Sequence, residues 1–243
     1  MAAGYSRAMA EGAYAMELGL VDYNEAWELQ RALAAAVSQR AIPDTVLFLE
    51  HPPTVTLGRR TEPGELHIPD GAEVAVVETD RGGRSTYHGP GQLVCYPILN
   101  LERHGKDVKK YCCDLEEAII RTAASFGVEA VRIDGLTGVW LESPPRKLAS
   151  IGVHISRWVT THGYALNVDL DPAPFTDWIT ACGLEDAAFT SLAREVGRPV
   201  TVAEVLPAAR AAFAEVFELV LEDLPGDEPG LWPQPVHAQL AAR

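Results

Sequence analysis

The sequence predicts an α+β fold, with a mixed or antiparallel sheet and flanking helices. Short apolar runs of the strand type cluster in the middle of the chain, and amphipathic helical patterns lie around them without regular alternation. A chain of 243 residues with 47% hydrophobic content can also bury one substantial core. We therefore expect one domain over residues 13–221, with flexible or extended tails at 1–12 and 223–243.

Four helices are predicted from capping residues and apolar spacing. Asp22 and Asp107 are suitable N-caps, because a short carboxylate accepts hydrogen bonds from the first N–H groups of a helix. Gly127 follows the second helical pattern and is a typical residue after a helix end. The predicted helices span Asp22–Arg40, Asp107–Phe126, Phe175–Ala181 (closed by Gly183) and Val202–Leu221.

Eight strands are predicted from apolar and β-branched runs that turn residues separate. They span residues 45–49, 54–57, 74–79, 93–101, 128–133, 138–141, 148–155 and 163–168.

Charge and composition exclude several classes of protein. A formal net charge of -14 argues against a nucleic-acid partner, because phosphate is neutralised by clustered Lys and Arg. No apolar run reaches the roughly 18 residues that span a bilayer, and the first residues lack the apolar centre of a signal peptide. We expect a cytoplasmic protein with no membrane partner. The spacing of the cysteines and histidines fits neither a disulfide framework nor a zinc site, so no metal and no cofactor is expected.

The segment from Arg81 to Pro97 is the most informative part of the chain. Its paired glycines at 82–83 and 89–91 allow positive φ and close backbone approach, so that exposed N–H groups could surround a ligand. Tyr87 and His88 would then point into the same space. A hairpin with two tight turns and a buried histidine explains this stretch equally well.

Two further positions carry reactive side chains. Cys182 lies at the end of the predicted short helix, where the helix dipole disfavours a thiolate, so a reactive thiol there needs a neighbouring cation. Lys147, isolated from the other lysines at the start of a strand, could be that cation. A buried inert thiol and a solvated lysine remain the simpler interpretations, since no spacing rule links the two residues.

Four motifs together resemble the lipoyl(octanoyl) transferase family. They are the run from Arg81 to Gln92, Lys-Leu-Ala-Ser-Ile-Gly from Lys147, His-Gly-Tyr-Ala-Leu-Asn from His162, and Ala-Cys-Gly-Leu around Cys182. The resemblance covers approximately residues 13–221 with the motifs in order. It implies a fold similar to the biotin and lipoate protein ligase catalytic domain. The implied activity is transfer of an octanoyl group from acyl carrier protein to a lysine of a lipoyl domain, in lipoate biosynthesis.

The resemblance also implies roles for individual residues. Cys182 would be the acyl-thioester nucleophile and Lys147 its activating partner, with His88 and His162 expected to position groups rather than to transfer protons. The acceptors would be the lipoyl domains of 2-oxoacid dehydrogenase complexes and the glycine cleavage H protein. The acyl substrate would be bound by Arg81, Gly82, Gly83, Arg84, Ser85, Thr86, Tyr87, His88, Ser150, Ile151, Gly152, Gly163, Tyr164 and Ala165.

Three rival functions stay open at this point. An ATP-dependent lipoate–protein ligase would need no essential thiol, a non-catalytic acyl-binding or lipoyl-domain-binding protein would tolerate loss of Cys182 and Lys147, and a thiol hydrolase would pass the acyl group to water. Because the expected partners are acidic like this chain, docking needs a local basic patch. The candidates are Arg59 with Arg60, Arg84, and the segment from Lys106 to Lys110.

Overall fold

The fold is given by a computed structural model that describes residues 11–180 and 188–224. Its strands are β1 (Glu11–Leu20), β2 (Thr45–Glu50), β3 (Thr54–Leu57), β4 (Ala75–Glu78), β5 (Thr86–His88), β6 (Gln92–Ile98), β7 (Val131–Ile133), β8 (Leu136–Leu141), β9 (Arg146–Ser156), β10 (Val159–Asn167), β11 (Ala188–Phe189) and β12 (Leu219–Asp223). Its helices are α1 (Tyr23–Ser38), α2 (Val108–Ala124), α3 (Ala173–Asp177), α4 (Leu192–Val196) and α5 (Val202–Val216).

The main sheet is mixed, as the sequence predicts. Over the described residues it has nine strands in the order β12-β1-β2-β6-β10-β9-β8-β7, with β11 added beside β9. β1 runs parallel to β2 and β12, while the central pairs β2–β6, β6–β10 and β9–β10 are antiparallel. A second, small sheet has the order β4-β3-β5. Its strand β5 belongs to the glycine-rich segment, which is therefore fixed by pairing with β3.

Helices cover both faces of the main sheet. On one face, α1 buries Leu29, Leu33 and Val37 against β10 and β6. On the other, α2 and α5 pack on each other and on the sheet, with Leu115 and Phe213 fully buried. Truncating one such leucine to alanine typically costs about 2–5 kcal/mol, so each face contributes substantially to stability. None of the helices in the described ranges is long and apolar enough to cross a membrane.

Both predicted N-caps are confirmed. The carboxylate of Asp22 accepts hydrogen bonds from the N–H groups of Asn24 and Glu25, and that of Asp107 accepts one from Lys110. The two predicted helices behind them are present with slightly shorter C-terminal ends.

The structure differs from the predictions at several elements, and α4, β5 and β11 were not predicted. The pattern from Val202 to Leu221 was predicted as one helix, but α5 ends at Val216 and β12 follows, because Glu218 adopts a left-handed φ of 55° that no helix continues. β1 was not predicted and begins at Glu11, inside the segment assigned to a tail, since its small inward residues Ala13 and Ala15 give a weak alternating signal.

Another difference is the short helix. α3 begins at Ala173 and ends at Asp177, earlier than predicted, and Ile179 instead forms an isolated bridge with Leu66. Ala181 and Gly183, which were expected to complete that helix, lie outside the described residues. The division into one domain and two tails stays a prediction.

Candidate active site

A cavity of about 810 Å³ lies along β9 and β10 and continues beneath the glycine-rich segment. Among the described residues that line it, five are cationic (Arg59, Arg60, Arg81, Arg84 and Lys147) and one, Glu62, carries a carboxylate. A cleft lined mainly by positive charges attracts anionic ligands, even in a protein whose net charge is negative.

The cavity brings most of the predicted site residues together. They are Arg81, Gly82, Gly83, Arg84, Ser85, Thr86, His88, Lys147, Ser150, Ile151, Gly152, Gly163, Tyr164 and Ala165. Tyr87 is the exception, because its ring packs edge-on against Phe175 and Trp178 in a separate apolar cluster. Cys182 belongs to residues 181–187, which the structure leaves undescribed.

The glycine-rich segment is held by backbone hydrogen bonds from two sides. The N–H of Gly82 donates to the carbonyl of Val153 on β9 at 2.9 Å, and the N–H of Arg60 donates to the carbonyl of Gly83 at 3.0 Å. Gly83 has a left-handed φ of 88°, which favours glycine. A Cβ on Gly58 would lie 2.4 Å from the carbonyl oxygen of Gly83, so the close approach of the two loops requires glycine there.

Arg81 fastens this loop from inside. Its buried guanidinium donates to the carbonyls of Gly82 and Arg84 at 3.1 and 2.8 Å, and to the carbonyl and hydroxyl of Thr56 at 2.7 Å each. Charge-assisted hydrogen bonds are roughly twice as strong as neutral ones. Arg81 therefore organises the loop that forms the cavity wall.

His88 is neutral in this environment. Its Nδ1 lies 2.8 Å from Oε1 of Gln92, which can only accept, so Nδ1 carries the proton and Nε2 faces the hydroxyl of Thr56 at 3.4 Å. Burial first, and then the neighbouring His51 and Arg81, lower the pKa of His88 well below its ordinary value. His88 is therefore built to hold the loop and not to carry a charge at neutral pH.

Lys147 enters the cavity from the start of β9. The residue is only 4% exposed, and its Nζ lies 5.0 Å from the centre of the Trp140 ring, over the ring face. An aromatic face stabilises an ammonium group at this distance. Gly138 makes room for the side chain, because a Cβ there would lie 2.8 Å from Cε of Lys147. The position of this amine thus depends on two residues of β8.

Glycines allow close approach between the segments that form the cavity wall. A Cβ on Gly152 would lie 3.1 Å from Cδ of Arg81 and 3.1 Å from the carbonyl oxygen of Gly82. One on Gly163 would overlap the carbonyl of Cys95 in the neighbouring strand at 2.2 Å. A larger residue at Gly152 would push β9 away from the loop, and one at Gly163 would push β10 away from β6.

The sequence reasoning missed a buried chain of hydrogen bonds in the cavity wall. Nε2 of His162 lies 2.7 Å from Asp80, and Nδ1 lies 3.3 Å from the hydroxyl of Tyr23. Tyr23 in turn bonds Tyr96, whose hydroxyl lies 2.8 Å from Nε2 of His51. The chain thus runs from half-buried Asp80 to fully buried His51.

Burial controls the titration of this chain. It lowers the pKa of His51 to about 4 and raises that of Tyr23 to about 12. It also lowers the pKa of His162, against the opposing effect of Asp80, whose own pKa is lowered by its hydrogen bond to His162. At neutral pH the histidines and tyrosines in this hydrogen-bonded series are uncharged. The Asp80 carboxylate is the only charged group among its five residues.

A signal in the sequence could have identified part of this chain. Asp80 immediately precedes Arg81, and His162 opens one of the motifs, so both lay beside positions already singled out. Tyr23 and Tyr96 instead occupy ordinary apolar positions of a helix and a strand, where nothing distinguishes them from core residues.

Comparison with known proteins gives the class. The model of the family described as lipoyl protein ligase A/B catalytic domain matches residues 22–214. The chain therefore belongs to that family.

Individual relatives are more specific. The chain is similar to an octanoyltransferase of Mycobacterium tuberculosis H37Ra, with 53% identity over 84% of this chain and 87% of the relative. It is also similar to an octanoyltransferase of Chloroflexus aggregans, with 48% identity over 83% and 93%. Octanoyl transfer in lipoate biosynthesis is the activity that these relatives support.

Solved structures confirm the fold prediction. A bipartite lipoate protein ligase from Thermoplasma acidophilum aligns with a TM-score of 0.70 over 91% of this chain and 90% of its own, at 14% identity. At this identity the likeness concerns the fold alone.

Proposed function

We propose that this protein transfers an octanoyl group from acyl carrier protein to a lysine of a lipoyl domain, through a thioester on Cys182. The observation that carries the proposal is the placing of Lys147, a nearly fully buried amine, in a cavity shared with almost all of the predicted substrate-binding residues. The relatives support octanoyl transfer, and the donor, the intermediate and the roles of the two residues are our inference.

In the first half-reaction, Lys147 assists the thiol of Cys182. The thiolate attacks the carbonyl carbon of the donor thioester, a new carbon–sulfur bond forms, and the carrier's sulfur leaves. The proton lost by the Cys182 thiol passes to the amine of Lys147, and the resulting ammonium returns it to the departing carrier thiolate. The face of Trp140 can stabilise the ammonium while it exists.

In the second half-reaction, the acceptor lysine attacks as a neutral amine. A carbon–nitrogen bond forms, and the carbon–sulfur bond to Cys182 breaks. Lys147 in its neutral form takes the proton that the acceptor nitrogen loses, and the Cys182 thiolate then recovers it. No step requires ATP, because the acyl group arrives already activated as a thioester.

The cavity can hold an unbranched acyl chain. Gly82, Gly152 and Gly163 line it without side chains of their own. We place the octanoyl chain in this space, with Ile151 and Ala165 as neighbours.

The partners follow from this chemistry. The acceptors we propose are lipoyl domains of 2-oxoacid dehydrogenase complexes and the glycine cleavage H protein, and we expect the reaction to take place in the cytoplasm. A ligase of the same fold would instead start from free acid and ATP.

The deciding experiment detects the intermediate. The protein is incubated with octanoyl-acyl carrier protein without ATP, and its intact mass is measured before and after hydroxylamine. We expect a hydroxylamine-labile adduct of octanoyl mass that Cys182→Ala abolishes.

A matched control is available in the same cavity. Cys112 also lines it, but burial, followed by Glu116 and Cys113, raises the pKa of its thiol, so it stays protonated at neutral pH. Cys112→Ala should retain the adduct. Acylation of the lipoyl domain that requires ATP and free octanoate, with no adduct in any variant, would overturn the proposal in favour of a ligase.

A further inference from the structure

A tight turn at the rim of the cavity presents two arginines side by side. The N–H of Thr61 donates to the carbonyl of Gly58 at 3.0 Å, which places Arg59 and Arg60 at the two central positions of the turn. Both arginines are exposed, and both line the cavity.

The backbone of this turn is held against the glycine-rich segment. The N–H of Arg59 donates to the carbonyl of Arg81 at 3.1 Å, and that of Arg60 donates to the carbonyl of Gly83 at 3.0 Å. Because both central amides are anchored, the two side chains start from fixed points. A rigid base lowers the entropy that must be lost when the side chains bind a ligand.

Apart from Lys109, the other cations considered for docking pair with carboxylates. Arg84 bonds Glu62 and lies 3.2 Å from Glu65. Lys106 and Lys110 pair with carboxylates of their own segments, Glu102 and Asp114 respectively.

No such partner restrains the turn. Across residues 11–180 and 188–224, no carboxylate lies within 4.0 Å of the guanidinium nitrogens of Arg59 or Arg60. The nearest acidic residues along the chain, Glu62 and Glu65, are the ones that hold Arg84. In a protein with a net charge of -14, two uncompensated guanidinium groups at the entrance of a cavity are a specific feature.

We propose that Arg59 and Arg60 bind the phosphodiester of the phosphopantetheine arm that carries the octanoyl group, an inference that rests on the proposed donor. The thioester lies at the far end of that arm, so the acyl group enters the cavity while the phosphodiester stays at its rim. Two adjacent guanidinium groups supply planar, paired N–H donors that match phosphate oxygens. The site therefore recognises the arm and not the protein surface of the carrier.

The test compares donors that differ only in the phosphate. Octanoyl-phosphopantetheine and octanoyl-pantetheine are supplied to wild type and to the double variant Arg59→Ala/Arg60→Ala, with a saturating lipoyl domain as acceptor. We expect wild type to prefer the phosphorylated donor in kcat/KM by about tenfold or more, as charge-assisted hydrogen bonds of this kind allow. The double variant should lose that preference, through a raised KM, while its rate with octanoyl-pantetheine stays within about twofold of wild type.

A charge-matched control removes the same formal charge elsewhere. Lys109→Ala/Lys110→Ala on α2 also removes two positive charges, but neither lysine lines the cavity. This variant should keep the wild-type preference. An equal loss in both double variants would overturn the proposal, because a general charge effect would then explain it.

Two other outcomes would also overturn it. A defect of the arginine variant that appears only with whole octanoyl-acyl carrier protein would assign the turn to the carrier's protein surface. A defect confined to the KM of the lipoyl domain would assign it to the acceptor.

Direct binding separates this inference from the proposed function. Calorimetric titration with phosphopantetheine and with pantetheine requires no turnover. Tighter binding of the phosphorylated arm that depends on Arg59 and Arg60 would support the site even if octanoyl transfer failed. Equal affinity of wild type and the arginine variant for phosphopantetheine would refute the site even if transfer succeeded.

Discussion

At one part of the cavity Lys147 lies over the face of Trp140, whereas at another His162 lies in a chain of hydrogen bonds between Asp80 and Tyr23. His162 on β10 pairs with Val153 on β9. Lys147 and Val153 are separated along β9 by roughly 20 Å at the usual rise of a strand. Both sites contain buried titratable groups. The amine of Lys147 lies over the ring face of Trp140, and each ring nitrogen of His162 has a polar atom within hydrogen-bond distance.

In the proposed mechanism, the cavity separates proton transfer by Lys147 from positioning by His162. Both nitrogens of His162 have polar partners, so the His162 site is suited to maintaining shape. We expect substitutions at the Lys147 site to change the rate of the chemical steps. Substitutions at the His162 site should instead change the folding stability and its dependence on pH. The following predictions test that contrast.

The largest effect should come from Lys147. Lys147→Met removes the amine, and Lys147→Arg keeps a positive charge that cannot act as a base at neutral pH. Loss of a general base or acid typically costs about 10²–10⁴-fold, so we expect kcat to fall in this range for both variants. Single-turnover transfer from octanoyl-acyl carrier protein measures the effect, and a Lys147→Arg variant with wild-type rates would limit Lys147 to an electrostatic role.

Gly138→Ala should displace Lys147 without removing it. The new Cβ would lie 2.5 Å from the carbonyl oxygen of Ala149 and 2.8 Å from Cε of Lys147, and a misplacement of about 1 Å can cost about 10²-fold in rate. We expect a large fall in kcat together with lower thermal stability, because the contact with Ala149 is with the backbone of the paired strand. Gly71→Ala is the control, because Gly71 also has a positive φ (83°) but has no atom within 4 Å of a Cβ. Equal kinetic defects in both variants would attribute the loss to backbone strain.

The histidines should make stability depend on pH. Burial lowers the pKa of His51 to about 4 from 6.5, so between these values the unfolded chain binds a proton that the folded protein excludes. Stability therefore rises with pH across this window and is lost as pH falls from about 6.5 to 4. For His51 alone the change amounts to roughly 3 kcal/mol.

Denaturant unfolding at pH 7 and at pH 4.5 measures this dependence. His88, whose pKa burial also lowers, should act in the same direction. His51→Gln should flatten the dependence, since it replaces the titrating ring. A variant with the same pH dependence as wild type would contradict the assignment to His51.

The smallest effect should come from Tyr87→Phe. The ring of Tyr87 packs on Phe175 and Trp178 outside the lining of the cavity. We expect kcat/KM for octanoyl transfer to stay within about twofold of wild type, because phenylalanine keeps those ring contacts. A loss of kcat/KM greater than tenfold would instead support the prediction from the sequence that Tyr87 binds the acyl substrate.

The sequence predicted the fold class, the helix caps at Asp22 and Asp107, and about half of the residues that line the cavity. Glycines and isolated polar residues in turn-rich runs leave a pattern in the sequence, because few other residues satisfy the same backbone. Tyr23 and Tyr96 leave no such pattern, since a tyrosine in a helix or strand looks like any core residue until its hydroxyl partner is known. β12 escaped prediction for a related reason: its pairing with β1 is a contact between distant segments, and helical spacing continued into it.

The pairing of β1 with β12 has a consequence for how the protein is made. The two strands lie side by side and parallel, with Glu11 opposite Leu219. An early segment of the chain therefore cannot complete its strand pairing until one of the last described segments has been synthesised. During synthesis β1 can pair with β2 soon after both emerge, but its other edge stays open until β12 has left the ribosome. Long-range strand pairing of this kind is slow, and an open strand edge favours association with other chains. Before β12 emerges, the open edge of β1 is therefore a site at which the nascent chain can associate with other chains.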